Sequence, residues 1–206
     1  MNSKVIGVLL ILGPILTMGT WMLYSVETSD MSIPERLSAL IAEKDKAQIG
    51  ASIRMLGLTS MFMGLYFLAR SLRNDNSISN VCADIGGLLL LLCVPIWVLN
   101  QGADITAINH ADKFGNAAGE AILAASLVGR NVFFLFVTGI FMLGISLTLL
   151  KRYKRIPGLY HVLGALFIIT SVIGMTGLAD AVAWLGMFGL TIVAGISIIL
   201  KKENQN

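Results

Sequence analysis

Residues 131–155 read NVFFLFVTGIFMLGISLTLLKRYKR. Twenty positions pass without a charge, and four of the next five are basic. An uncharged run of that length, at about 1.5 Å rise per residue, covers about 30 Å, the thickness of a bilayer's hydrocarbon core. Backbone groups there have no water to bond, so the run must close its own hydrogen bonds as a helix. The basic cluster marks the side on which the helix ends, because lysine and arginine concentrate on the cytoplasmic face.

Five further runs of the same kind flank this one: Val5–Tyr24, Ile49–Leu72, Val81–Leu99, Leu159–Gly177 and Ala181–Leu200. The chain of 206 residues is 56% hydrophobic and 13% charged, with a mean hydropathy of +0.80. A soluble domain carries about 25% charge, so the composition excludes that class. Six spans and their connections use nearly all the length, which predicts one integral membrane domain over residues 1–206. The first run follows Lys4 and starts like a signal peptide. Its length, the internal Pro14 and the closing Trp21 and Tyr24 instead predict a retained helix. The turn between the last two runs is short enough to make them a tight hairpin.

Charge sets the orientation. Lys4, Arg70, Arg73, Lys151, Arg152, Lys154, Arg155, Lys201 and Lys202 all fall on one side. Glu27, Asp30, Glu35, Glu43, Asp45, Asp104, Asp112, Glu120 and Asp180 fall on the other. The expectation is a multi-pass protein of a bacterial cytoplasmic (inner) membrane with both termini cytoplasmic. Trp21, Trp97 and Trp184 then share the outer interface, where amphipathic rings are favoured. The net charge of +3 sits beside the spans and does not point to nucleic acid. The expected partners are the lipid bilayer and either a second copy or another membrane protein.

The two long outer connections carry local structure of their own. Ser32-Ile33-Pro34-Glu35 is a capping box, with Ser32 at the N-cap and Glu35 reaching back. Ile33, Leu37, Leu40 and Ile41 follow at helical spacing against Glu35, Arg36, Ser38 and Glu43, which predicts a short amphipathic helix. Gln101–Arg130 is the second connection, and part of it is expected to be helical. The predicted fold is therefore all-α: a six-helix transmembrane bundle with one or two short amphipathic helices on its outer face. A faint echo relates spans one and two to spans three and four, each pair joined by an outer segment, with Arg54 and Arg130 in matching places.

A charge at a helix centre in the bilayer costs about 2.5–3.5 kcal/mol on insertion scales, and the spans are nearly free of them. Arg54 enters span two by one turn. Asp84 lies near the inner end of span three, within reach of Arg70, Arg73 or the basic run from Lys151. The candidate ligand-binding residues gather on the outer side: Arg54, Arg130, Asp104, His110, Asp112 and Glu120. An arginine pair can bracket an anion or join local acids as interhelical glue. His110 and Asp112 have ligand chemistry, but with one outer histidine and no HExxH no metal is expected. His110 and His161 fall on opposite sides, which argues against a shared haem, and no span holds a lysine for a Schiff base. No cofactor is expected. Cys82 and Cys93 are about 16 Å apart along one helix, too far for a disulfide. The 21 glycines read as packing residues, with Ser60/Gly64 and Thr191/Gly195 at small-xxx-small spacing. Pro14 and Pro95 are candidate kinks.

Arg130-Asn131, Gly139, Gly144, Leu149-Leu150-Lys151-Arg152-Tyr153, Arg155-Ile156-Pro157 and Gly164 together resemble an uncharacterised bacterial six-helix membrane family, a domain of unknown function. That family likewise joins its fourth and fifth helices through a basic turn ending in an aliphatic-proline pair. Ile33-Pro34 matches its first half in layout. Gly158-Leu159-Tyr160-His161 stands where the family has a tryptophan-containing continuation. The resemblance implies the same six-helix architecture and brings no activity or catalytic residue with it. The leading functional expectation is a non-enzymatic membrane protein acting through helix packing or partner binding. A small solute or anion transporter using the outer arginines is the first rival, and a membrane enzyme with an outer-face site the second.

Overall fold

The computed structural model describes residues 2–28, 30–73, 76–127, 132–150, 159–176 and 180–200. All regular structure among them is helical: α1 (Ser3–Leu23), α2 (Ile33–Ala42), α3 (Lys44–Ser71), α4 (Ser77–Phe114), α5 (Asn116–Ser126), α6 (Val132–Thr148), α7 (Leu159–Thr176) and α8 (Asp180–Leu200). The helices α1, α3, α4, α7 and α8 are each long and apolar enough to cross a membrane, as in a multi-pass membrane protein. The sixth apolar helix, α6, is shorter, at 17 residues.

These six helices form a closed ring in chain order, α1 against α3, α3 against α4, then α6, α7 and α8, with α8 returning to α1. The last two helices therefore complete the wall. Hydrophobic attraction does little between helices in lipid, so close backbone approach has to supply the packing. Glycines provide it at four of the six seams. A Cβ on Gly13 of α1 would lie 2.8 Å from the Gly57 carbonyl of α3, and one on Gly57 would lie 2.9 Å from the Gly13 carbonyl. Gly86 and Gly139 face each other in the same way between α4 and α6, Gly144 and Gly164 between α6 and α7, and Gly7 and Gly195 between α1 and α8. Of the two small-xxx-small pairs read from sequence, Gly64 lies against Leu10 and Gly195 against Gly7.

The ring is filled. Phe62 of α3 meets Phe136 of α6 at 5.3 Å between centroids, although those helices are not neighbours. Trp184 of α8 reaches across to Trp97 of α4 at 5.6 Å, stacks on Phe136 at 5.0 Å and touches Phe133 at 5.2 Å. Trp21 of α1 joins edge-on at 6.2 Å. The three tryptophans do share one level, as expected, but they converge on one another across the ring. Phe167, Leu65, Leu90 and Met61 fill the space further along. The outer wall is apolar as well, with Leu12, Leu56, Leu88, Leu166 and Val193 exposed, a surface suited to lipid and costly in water.

Two helices run further than their apolar runs. Span three, read as ending at Leu99, continues unbroken to Phe114, giving a helix of 38 residues and about 57 Å. Span two begins at Lys44 instead of Ile49. These extensions pack on α2 and α5 around a second apolar cluster of Leu37, Leu40, Ala47, Ala107, Ile108, Ala111 and Leu123. The result is a helical cap on one end of the ring. Gly115, at φ 86°, ends α4 in a backbone conformation that suits glycine and lets α5 fold back. Gly119 then brings α5 within 2.8 Å (Cβ position) of the Ala107 carbonyl. Both Pro14 and Pro95 lie inside continuous helices.

Candidate functional site

The cap holds five of the six polar residues singled out from sequence, and helix geometry decides how they meet. α3 and the extension of α4 are packed neighbours that face each other along their length. Arg54 Nε donates to Gln101 Oε1 at 2.8 Å, Gln48 Nε2 to Asn109 Oδ1 at 3.3 Å, and Lys44 forms an ion pair with Asp112 at the far end. A third helix contributes Arg36, whose Nη2 donates to Asp104 Oδ1 at 2.8 Å. α2 is held for that reach at two points. The Glu35 carboxylate accepts from the Ser32 N–H at 2.9 Å and its hydroxyl at 2.7 Å, closing the predicted box. Leu37 and Leu40 are buried in the cap core. The Ser32 hydroxyl, with its N–H, holds Glu35 below the ordinary carboxylate value.

Burial separates these contacts. Arg54 and Asp104 are each 8% exposed. Lys44 and Asp112 keep 41% and 45% of their side chains in solvent. Gln101 and Asp104 lie three residues apart on α4, so Arg54 and Arg36 reach adjacent positions on one face of that helix.

Of the six predicted site residues, Arg54 and Asp104 are held on adjacent turns of the α3–α4 junction, Arg54 by Gln101 and Asp104 by Arg36. His110 is half-buried two turns further on, its Nδ1–H donating to the Thr106 carbonyl of its own helix at 3.0 Å, its ring 5.5 Å from Phe114. Asp112 is engaged by Lys44. Glu120 lies half-buried on α5 and makes no ion pair or side-chain hydrogen bond among the described residues. Arg130 lies outside the described residues, as does the basic run 151–155. Among the described residues no group of three histidine, cysteine or acidic side chains is placed to hold a metal. An open depression of about 600 Å³ is lined by Asp30, Met31, Pro34, Glu35 and Ser38, and by none of the six.

Arg36 and Gln101 were not singled out from sequence, though a signal existed for each. Arg36 lies three residues after Ile33 and four before Leu40, so it shares the inward face of α2. Gln101 lies one turn beyond Trp97 on the same helix. At the opposite end of the ring Asp84 is neutralised by Arg73 at 2.9 Å, one of the partners expected for it. The hydrogen bond from Arg73, with the attraction of Asp84, raises the guanidinium pKa above its ordinary value.

No protein-family model, curated protein or solved structure matches the chain.

Proposed function

We propose that the chain is a six-pass protein of a bacterial cytoplasmic membrane, both termini cytoplasmic, working without catalysis by binding a membrane partner or a second copy through its cap. One observation carries this reading. The polar side chains of the cap pair off across helices, Arg36 with Asp104, Arg54 with Gln101 and Lys44 with Asp112, above a ring whose centre is filled by aromatic rings. A catalytic site needs a nucleophile, acid or base converging on a common point, and a transporter needs a polar way through. Polar side chains bonded to one another over an apolar filling serve neither, whereas they hold a cap rigidly on its bundle. A rigid cap is what a recognition surface requires. The sixth crossing falls to α6, whose 17 residues span about 25 Å. Lys4, Arg70 and Arg73, at the ring end away from the cap, support the orientation. The resemblance over Arg130–Gly164 is consistent with the same six-pass layout.

The test places a photo-crosslinking amino acid at Phe114, 70% exposed at the cap tip, and in a second strain at Leu166 on the lipid-facing wall. Irradiation of intact cells is expected to give one defined protein adduct, identified by mass spectrometry, from the cap position only. Lipid adducts alone from both positions, or uptake of a solute by proteoliposomes holding the pure protein, would sink the reading.

A further inference from the structure

We propose that the junction of α2, α3 and the extension of α4 binds a phosphate-type oxyanion between the guanidinium groups of Arg36 and Arg54. Arg36 is paired with Asp104, while Arg54 is held one turn away by the neutral Gln101, so the junction carries two cations against one carboxylate. It is also poor in water, with Arg54 and Asp104 each 8% exposed and the Arg36 side chain 20%. A buried charge without a counter-charge is costly, and a bound anion removes that cost.

The donors agree with the charge. Arg54 uses Nε on Gln101, and its two terminal nitrogens meet no acceptor among the described residues. Arg36 uses one terminal nitrogen on Asp104, while its Nε is buried with no partner. Two planar donor forks on different helices suit an oxyanion, which offers several lone pairs to bidentate recognition. Gln101 leaves no negative charge of its own on Arg54, so that guanidinium is restrained without being neutralised.

Depth narrows the source. Gln101 and Arg54 lie one turn beyond Trp97, on the cap side of the tryptophan level, where headgroup phosphates begin. The same chemistry can therefore arrive as free phosphate or as the phosphate of a lipid in the cap-side leaflet.

The experiment uses the full chain in a maltoside detergent that contains no phosphate, in chloride buffer. Inorganic phosphate is titrated in one arm and short-chain phosphatidylglycerol in the other. Thermal unfolding is followed in both, and lipid retention by native mass spectrometry in the second. Stabilisation by phosphate, weakened at least tenfold in Arg54→Gln and Arg36→Gln and unchanged in Lys44→Gln, supports a free oxyanion. Retention and stabilisation by the lipid alone, with the same variant pattern, support a headgroup. Asp104→Asn removes the competing carboxylate and is expected to tighten binding several-fold, which a merely structural role for the arginines does not predict. If Arg54→Gln fails to fold, Arg36→Gln and Asp104→Asn still decide. No response in either arm, a response in the arginine variants as strong as in the unsubstituted chain, or an equal effect of added chloride overturns the proposal.

Discussion

Asp104 and Asp112 lie about two turns apart on α4 and each meets one cation, yet their surroundings set different energies. Removing one partner of a buried pair leaves a stranded charge and costs about 3–5 kcal/mol, whereas an exposed pair contributes about 0–1 kcal/mol. The partial exposure of Arg36 places Asp104→Ala just below the buried range, at about 2–3 kcal/mol. Asp112→Ala should cost under about 1 kcal/mol, since both its side chain and that of Lys44 are well solvated. Unfolding in mixed micelles, followed by helix signal, checks the contrast, and equal losses would contradict it. Glu35 gives a pH-dependent companion. Its folded pKa is lowered by Ser32, so the box contributes fully above the ordinary carboxylate value and is lost as pH falls through the lowered folded value. A carboxyl ¹³C titration should place the midpoint below that of an unstructured glutamate, and Ser32→Ala should return it upward. The acids and Arg54 were visible in sequence because charges stand out beside apolar runs. Arg36 was not, because an arginine at the edge of an amphipathic face looks solvated until its partner, 68 residues away, is known.

At the scale of helices, glycine has opposite values at buried seams and on the open wall. A methyl on Gly144 would sit 2.8 Å from the Gly164 carbonyl and 2.9 Å from Ile168 Cγ1, so α6 and α7 would have to separate. Gly189 of α8 has nothing within 4 Å of the same position. Gly144→Ala is therefore expected to destabilise by about 1–3 kcal/mol, as overpacking does. Gly189→Ala should be neutral or stabilising by up to about 1 kcal/mol through helix propensity. Chemical unfolding of the two variants beside the parent protein separates them, and a loss at Gly189 matching that at Gly144 would refute the seam assignment. The apolar runs were readable because each approaches the length of a bilayer crossing. The extension of α4 was harder to see, since its buried face is built from Ala103, Ala107 and Ala111, small residues that give little contrast against Gln101, Asn109 and Lys113. Nor does a run's composition say which helices become neighbours. Closure of the ring by α8 on α1 depends on Gly7 meeting Gly195, a contact between the two ends of the chain.

For the molecule as a whole, helix length and bilayer thickness together determine what stands in water. The 17 residues of α6 reach about 25 Å, while the 38 of α4 reach about 57 Å. Aligned at the basic end, where Arg73 and Asp84 pair, α4 must rise about 25 Å past a core of about 30 Å. In the proposed orientation Trp97 stands at the level where it leaves, and the Arg54–Gln101 contact lies one turn beyond. Cap and basic end should therefore be separable by a reagent that cannot cross the membrane. In a chain with Cys82 and Cys93 replaced by alanine, Phe114→Cys should react with an impermeant maleimide in intact spheroplasts, and Ser77→Cys only after permeabilisation. The reverse pattern would invert the proposed orientation. Labelling of both without permeabilisation would mean that α4 does not cross, and the ring would need another solvent. Because Phe114 lies far from the membrane level, its reactivity should be as fast as that of a small thiol in water. A slow reaction would place the cap tip against a partner or a second copy, and dilution in detergent should then restore the rate.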